Sequence, residues 1–318
     1  MIEYAAPGKA VIWGEYAVLA GAPALVMAVN RYARAAVTLE GDRWQIRSTG
    51  FESEMSVSAR ALDAMNPANA DGAAAVVRSA LAALGNPPLP PGARITTDTT
   101  AFHERGDKLG IGSSAAICTA VCAALADAFS LPFERSVAQA AHQFLQGRAG
   151  SGLDIAAACE GGLLRFQSGA ASPFLWPENL HYRFFWVGHS AKTTDHLAKF
   201  GAWRAAGTTG PLDELGKACE ALFAHPGLGS FRDYVRQLKS LDRVAKLGIY
   251  DAAHARLDEL ASHAQVVYKP CGAGGGDIGI AVGDDAARLE SLHTLAVQES
   301  FLPLNLEIAA HGVHRISS

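Results

Sequence analysis

The sequence predicts a protein of two halves that combines β-strands with α-helices. Its 318 residues are too many for one ordinary core and suit two domains. Segments rich in β-forming residues fill the first 50 positions, and alanine-rich segments typical of closely packed helices follow. After residue 166 the composition shifts toward aromatic residues. We therefore expect a boundary between residues 166 and 177, with domains at 1–170 and 171–318.

The first half is expected to begin with strands and to continue with helices. Strands are predicted at 10–21, 23–30, 31–41 and 93–99, and helices at 71–85, 113–129, 132–147 and 151–160. The connector at 86–92 is rich in proline, which cannot continue a helix.

The second half is expected to contain an aromatic strand, a run of helices and short closing strands. The strand is predicted within 174–188, and helices are predicted at 195–203, 212–224, 229–246 and 250–265. A glycine-rich turn, a strand at 278–282, a helix at 284–298 and strands at 302–308 and 311–316 complete the prediction.

Charge and hydropathy argue against two classes of partner. The net charge is −4 and no run of five or more basic residues occurs, which disfavours a nucleic-acid partner. The longest apolar run, 115–129, contains Asp127 and is too short for a membrane span. We expect a small-molecule partner, no nucleic acid, no membrane, and a monomer or homodimer.

The cysteines indicate a reducing compartment. None of the five forms a C-x-x-C pair, so a zinc site is disfavoured, and their odd number favours free thiols. The first residues lack the basic and apolar segments of a secretory signal. A cytoplasmic location is therefore expected.

The first stretch with possible chemistry is "APGKAVIWGEYAVLAG", residues 6–21. Pro7 and Gly8 predict a turn from which Lys9 enters a strand. The simpler interpretation is a hairpin start with a surface lysine.

The second stretch, "KLGIGSSAAICTA", places small residues directly before an apolar helix. Gly110 and Gly112 would let the backbone approach a ligand closely, and a helix beginning near Ser113 would direct free N–H groups at it. The hydroxyls of Ser113 and Ser114 could bind phosphate or Mg²⁺. The alternative is that Ser113 only caps the helix, which requires no glycines.

The third stretch, "KPCGAGGGDIGIAV", has four glycines between Gly272 and Gly276. Such a loop is entropically costly unless its backbone needs positive φ or wraps a ligand. A flexible hairpin turn is the alternative.

A carboxylate is available in "GRAGSGLDIAAACEGG", where Asp154 lies in the first turn of an apolar helix. It could accept a hydroxyl proton beside a bound phosphate. From Asp154 alone, the simpler interpretation is a capping residue favoured by the helix dipole.

These segments, in this order, resemble the three signature motifs of the GHMP small-molecule kinases, over residues 6–281. The resemblance implies an α/β (α+β) fold of two domains: an N-terminal half like ribosomal protein S5 and a ferredoxin-like C-terminal half. ATP and the phosphoryl acceptor would bind in the cleft between them.

Within this family the chain resembles the phosphomevalonate kinase branch, which implies phosphorylation of 5-phosphomevalonate. Tyr16 stands where mevalonate kinases typically have histidine, and Gln143 stands where they have a glutamate that binds Mg²⁺. Cys271 departs from a position often filled by serine. Mevalonate kinase or another GHMP sugar or alcohol kinase is the alternative, and a non-catalytic binding homologue is a third possibility.

The resemblance also implies residue roles. Asp154 would accept or orient the acceptor proton, and Lys9 beside it would stabilise the transferred phosphoryl group. ATP would contact Lys108, Gly110, Gly112, Ser113, Ser114 and Ala115, with Ser114 also binding Mg²⁺. The acceptor would contact Glu15, Tyr16, Arg148, Ser151, Gly152, Lys192, Gly272, Ala273, Gly274, Gly275 and Asp277. His142 is expected to face its helix neighbours rather than a ligand.

Overall fold

The computed structural model describes residues 1–49, 53–67, 70–147, 150–191, 193–207 and 209–316. Its strands are β1 (Ile2–Trp13), β2 (Ala24–Thr38), β3 (Trp44–Thr49), β4 (Ser53–Val57), β5 (Ala93–Asp98), β6 (His103–Glu104), β7 (Asp107–Lys108), β8 (Leu163–Gln167), β9 (Ala170–Pro173), β10 (His181–Trp186), β11 (Val267–Pro270), β12 (Ile278–Gly283), β13 (Leu302–Leu304) and β14 (His314–Arg315). Its helices are α1 (Ala59–Asp63), α2 (Gly72–Ala83), α3 (Ser113–Ala128), α4 (Arg135–Gln146), α5 (Leu153–Glu160), α6 (Thr193–Ala205), α7 (Gly210–Ala224), α8 (Leu228–Ala245), α9 (Ala252–His263) and α10 (Ala286–Gln298).

The first sheet is built around the long strand β2. β1 pairs antiparallel with one edge of β2, while β8 and β5 pair with successive parts of the other edge. β3 continues the sheet parallel to β5, and β4 forms its far edge. In β3 and β5 buried and exposed residues alternate, so one face of the sheet is turned toward the helices.

Helix α3 occupies the centre of the first half. Almost all of its side chains from Ser113 to Ala126 are buried, and most are alanine or cysteine. These small side chains allow α3 to pack closely between the sheet and the helices α2 and α4. The buried helix therefore fixes the position of the loop that precedes it.

The second sheet has the antiparallel order β11-β12-β10-β13. Successive residues of β10 point to opposite faces: Phe184 joins the large core that extends into the first half, and Phe185 joins a smaller core beneath α9 and α10. The glycine-rich segment connects β11 to β12 at the end of this sheet. Its location is therefore set by the second sheet.

The end of the chain returns to the first sheet. The Ala309 amide donates to the Ala28 carbonyl at 2.9 Å, and β14 pairs with β1. The large hydrophobic core also includes residues from both halves. The two halves are therefore joined by a strand and by a shared core.

The predicted mixture of strands and helices is confirmed, but several elements differ from the prediction. Pro7 and Gly8 lie inside β1, at a register shift, and do not form a turn. The strand predicted at 10–21 ends at Trp13, because Gly14 and Tyr16 have positive φ and a 3₁₀ turn follows at Ala17–Ala20. The strand predicted at 302–308 covers only Leu302–Leu304.

Candidate active site

Lys9 and Asp154 form an ion pair at the opening between the two halves. Lys9 comes from β1, where its backbone amide donates to the Ile111 carbonyl at 2.8 Å. This contact requires glycine at position 8, because a Cβ there would lie 2.7 Å from the Ile111 oxygen. The Lys9 Nζ lies 3.4 Å from Asp154 Oδ1, and their side chains are 14% and 37% exposed. Both charged groups can therefore contact a ligand.

Asp154 is held by the start of α5. The helix begins after Gly152, whose φ of 83° is left-handed. No side chain caps this N-terminus, and Asp154 is the acidic residue of the first turn, where the helix dipole favours a carboxylate. Asp154 therefore does not occupy the N-cap position itself, and its place in the first turn fits the predicted stabilisation by the helix dipole.

The second glycine loop, defined as residues 110–115, leads into α3. Gly110 and Gly112 both have left-handed φ, of 73° and 81°. Gly112 is the N-cap of α3, and a Cβ there would lie 2.9 Å from Lys9 Cγ. Ser113 therefore does not cap the helix, and its buried hydroxyl has no hydrogen-bond partner among the described residues. The start of α3 therefore has no side-chain cap, and its backbone N–H groups suit an anion.

Ser114, the residue expected to bind Mg²⁺, contacts a histidine that the sequence did not assign to the site. Ser114 Oγ lies 3.3 Å from His142 Nε2, and Gln146 Nε2 lies 3.1 Å from the same nitrogen. Burial lowers the pKa of His142, so the ring is neutral near pH 7. His142 faces a helix neighbour, as expected, and it also lines the pocket described below.

Two other members of the second motif lie in different surroundings. Ala115 is buried against Ala138 and Ile155, so only its backbone could contact a nucleotide. Lys108 is exposed on β7, and its carbonyl accepts a hydrogen bond from Ser190 Oγ at 2.7 Å. Its side chain is therefore available to solvent beside the loop.

The third glycine loop, defined as residues 271–277, lies against the first motif. Tyr16 donates its hydroxyl to the Ala273 carbonyl at 2.6 Å, and the Gly272 amide donates to Glu15 Oε1 at 3.4 Å. Burial raises the pKa of the Tyr16 phenol above its usual value, so it remains a donor. Both residues expected to contact the acceptor therefore also hold the loop in place.

Glu15 is buried in an ion pair below this loop. Lys269, which is fully buried, donates to Glu15 Oε1 and to the Val11 carbonyl. Tyr234 donates its hydroxyl to Glu15 Oε2 and accepts a hydrogen bond from the Gly14 amide. Both carboxylate oxygens are thus engaged by protein groups. Burial and the Glu15 carboxylate raise the pKa of Tyr234 well above its usual range.

Asp277 links the third loop to the second. Its Oδ1 accepts a hydrogen bond from the Ala191 amide at 3.1 Å, and burial raises the pKa of its carboxyl. A Cβ at Gly110 would overlap the Asp277 carboxylate. The two loops are therefore in direct contact, and glycine at 110 is required by this contact as well as by its φ.

A pocket of about 250 Å³ opens beside the Lys9–Asp154 pair. Of the predicted residues, its wall includes Lys9, Glu15, Tyr16, Ser151, Gly152, Asp154, Gly272 and Ala273. Residues that the prediction did not assign to the pocket are Val11, Val18, Leu19, His142, Gln146, Gly150, Leu153, Ile155 and Leu197. Apolar side chains show no chemical signature in a sequence, so their role could not be predicted. Arg148 and Lys192 lie outside the described residues.

For a metal ion, the described part of the site offers single oxygen donors rather than a preformed group of ligating side chains. Within the described part of the chain, no group of three or more His, Cys, Asp or Glu residues could hold a metal ion. Mg²⁺ at nucleotide sites usually takes one or two protein oxygens and completes its shell with phosphates and water. The Ser114 hydroxyl beside the loop and the Asp154 carboxylate fit that requirement.

A family of known proteins matches the part of the chain that contains the second glycine loop. A match to the family described as GHMP kinases N terminal domain covers residues 71–162, which include α3, α5 and the second loop. This segment is similar to the N-terminal domain of GHMP kinases, and the chain has the two-domain fold of solved phosphomevalonate and mevalonate kinases.

Among individual proteins, the chain is similar to the phosphomevalonate kinase of Streptomyces sp. (strain CL190), at 27% identity over 97% of each chain. It superimposes on Streptococcus pneumoniae phosphomevalonate kinase in complex with phosphomevalonate and AMPPNP with a TM-score of 0.78 and 20% identity, covering 97% of this chain and 100% of that one. Methanococcus jannaschii mevalonate kinase gives a TM-score of 0.75 and 16% identity, with coverage of 96% and 98%. Among the described residues, no helix is long and apolar enough to cross a membrane.

Proposed function

We propose that this protein transfers the γ-phosphoryl group of ATP to 5-phosphomevalonate and forms 5-diphosphomevalonate. The observation that carries the proposal is the Lys9–Asp154 pair, 3.4 Å apart, beside a pocket to which the first and third motifs contribute. The Streptomyces relative and the pneumococcal structure support this choice of acceptor. We also propose a cytoplasmic location.

The second glycine loop would bind the ATP phosphates. Backbone N–H groups at the start of α3, which no side chain caps, suit phosphate oxygens. The buried Ser113 hydroxyl, which has no partner among the described residues, would donate to the same oxygens. Ser114 and Asp154 would hold Mg²⁺, which, when bound, neutralises negative charge on the phosphates.

Lys9 would contact the phosphoryl group during transfer. The carbon stem of its side chain lies against Gly112 of the second loop, and its ammonium nitrogen lies 3.4 Å from the Asp154 carboxylate. A cation in this position stabilises the negative charge that develops on the transferred group. Burial of the Lys9 stem keeps the ammonium group oriented toward the pocket.

Asp154 would orient the attacking oxygen of the acceptor. A phosphate monoester has a second pKa near 6, so much of it is already dianionic at neutral pH. Asp154 is therefore needed less as a strong base than as a group that positions the acceptor beside Lys9.

One observation favours a different acceptor, the alcohol mevalonate. Over the described residues, the only Lys or Arg side chain in the pocket wall is Lys9, and Val11, Val18, Leu19 and Leu197 make much of the wall apolar. Such a wall suits a less charged molecule than a phosphate monoester.

A coupled ADP-release assay with phosphomevalonate and mevalonate side by side decides between these acceptors. Turnover with phosphomevalonate well above the mevalonate rate is expected. Background turnover with phosphomevalonate would reject the assignment, and turnover with mevalonate alone would establish the alternative.

Asp154→Ala tests whether the site is catalytic. Removing the carboxylate is expected to lower kcat by at least about a hundredfold, the scale of a positioned acid–base group. Asp213→Ala, at an exposed position near the start of α7, is the control and should retain full activity. An Asp154→Ala variant with normal turnover would show that this carboxylate has no catalytic role.

A further inference from the structure

The third glycine loop is attached to the rest of the protein at almost every residue. The contacts made by its residues in chain order are Gly272 to Glu15, Ala273 to Tyr16, Gly275 to the Ile249 carbonyl, Gly276 to His254 and Asp277 to the His189 carbonyl. Three of these partners lie outside the three motifs and outside β11 and β12, the strands that the loop connects. They are Ile249, His254 and His189. The loop is therefore held in one conformation by distant parts of the chain.

His254 is the most deeply buried of these partners. It lies in α9, has no exposed surface, and uses both ring nitrogens. Nε2 lies 2.9 Å from the Gly276 carbonyl, and Nδ1 lies 2.8 Å from the Tyr268 hydroxyl. Because a carbonyl can only accept, Nε2 carries the proton and Nδ1 accepts from Tyr268. A neutral ring in this one tautomer satisfies both partners.

The carbonyl that His254 binds belongs to the peptide between Gly276 and Asp277. Gly276 has φ of 143°, and a Cβ there would lie 2.8 Å from the Ala191 amide nitrogen. The same peptide supplies the Asp277 amide that donates to His189 at 2.8 Å. Its orientation therefore sets where the Asp277 side chain points.

Asp277 in turn lies directly against Gly110 of the second glycine loop. A rotation of the 276–277 peptide would move the carboxylate relative to that loop. A continuous series of contacts thus runs from His254 through Gly276 and Asp277 to the proposed phosphate site, although His254 does not line the pocket.

We propose that His254 is a positioning residue for phosphoryl transfer: its Nε2–H fixes the Gly276 carbonyl and so keeps both glycine loops in their binding conformation. The inference rests on the proposed function for its effect on catalysis, while its effect on the loops is independent of the acceptor. An inert core histidine would contribute only to stability.

The experiment compares three variants of the full chain. His254→Leu removes the N–H donor, and His254→Gln restores an amide donor near the Nε2 position. Leu260→Ala, in the same helix and buried in the smaller core, is the control for lost stability alone. Amide hydrogen exchange of residues 272–277, AMPPNP affinity, kcat and KM are measured for each, together with Tm.

His254→Leu is expected to speed exchange in 272–277 and to lower kcat/KM, each by about tenfold, as for loss of a hydrogen bond to a buried carbonyl. AMPPNP affinity should fall by about fivefold through the displaced Asp277. His254→Gln should keep exchange in 272–277, kcat/KM and AMPPNP affinity close to the wild-type values. Leu260→Ala should lower Tm and leave them unchanged.

Wild-type exchange and affinity in His254→Leu, or equal losses in Leu260→Ala, would overturn the proposal. If His254→Leu does not fold, His254→Asn replaces it, because its shorter amide reaches the Nδ1 position and should lose what glutamine keeps. A further outcome is that the wild type fails to turn over phosphomevalonate while His254→Leu still changes exchange and nucleotide affinity. That result would reject this acceptor and support the role of His254.

Discussion

The second and third glycine loops are held in place by different parts of the chain. The second loop is followed by a long buried helix, and the groups proposed to bind phosphate belong to that helix and to the loop itself. The third loop has no helix of its own, and side chains from the turn after β1 and from α9 hold it. Local support is thus visible within a dozen residues of sequence, whereas distant support becomes visible only in the fold.

Substitutions that disrupt the two loops should therefore lie in different parts of the chain. Damage to the second loop should arise mainly from substitutions within it or through Asp277, which lies against Gly110, because α3 is fixed by its own packing. Damage to the third loop should also arise from substitutions far away in the chain, at the residues that hold it.

The largest effect is expected from breaking the buried Lys269–Glu15 pair under the third loop. Lys269→Met leaves the Glu15 carboxylate buried without its cation, which costs about 3–5 kcal/mol of unfolding free energy. Urea unfolding measures this loss. Arg135→Met is the control, since its pair with Glu160 is partly exposed and its loss costs about 0–1 kcal/mol. Equal losses in the two variants would show that the buried pair has no special role.

Acid should destabilise the protein through His254. Burial lowers the pKa of this ring from 6.5 to about 4, with Asp251, His189, Lys269 and Tyr268 around it. Between these pH values the unfolded chain binds a proton that the folded chain does not. Stability is therefore full above pH 6.5 and falls as the pH drops to 4, by about 3 kcal/mol.

Urea unfolding of the wild type and of His254→Gln at both ends of this range measures that contribution. The glutamine variant does not titrate and should lose less stability in acid. Parallel pH profiles for the two proteins would contradict the prediction.

Gly110→Ala tests the contact between the loops. The added methyl group would collide with Asp277 at a residue with φ of 73°, so ATP affinity should fall by about tenfold, or 1.4 kcal/mol. Gly106→Ala is a matched control, with φ of 90° and open space around the new Cβ. Isothermal titration with AMPPNP should show no loss of affinity for Gly106→Ala. A loss of the same size there would mean that backbone strain alone explains the result.

The smallest effect is expected from Tyr16→Phe, which removes one of several anchors of the third loop. Loss of the hydrogen bond to Ala273 should raise the acceptor KM by about fivefold, or 1 kcal/mol, with kcat nearly unchanged. Tyr4→Phe removes a comparable bond to Asp127 and should leave steady-state kinetics as in the wild type. A fall in kcat for Tyr16→Phe would place this hydroxyl in the chemical step.

The sequence was sufficient for the groups that carry local signals. Gly112 before a helix, Asp154 in a first turn and Lys9 in the first strand could all be identified, and the structure places Lys9 beside the other two. His142 and His254 could not be assigned, because a histidine on a helix has no spacing pattern that distinguishes a pocket residue from a core residue. The role of Lys269 could not be predicted either, since its burial depends on the Glu15 carboxylate, which lies 254 positions away in the chain.

The return of β14 to the first sheet has a practical consequence. The connection between the halves, residues 174–180, contains no strand or helix, so a protease could cut there. The fragments would remain associated through β14 and the shared core. A gene divided at this point should therefore give two polypeptides that reassemble when expressed together, which would make the protein suitable for fragment complementation.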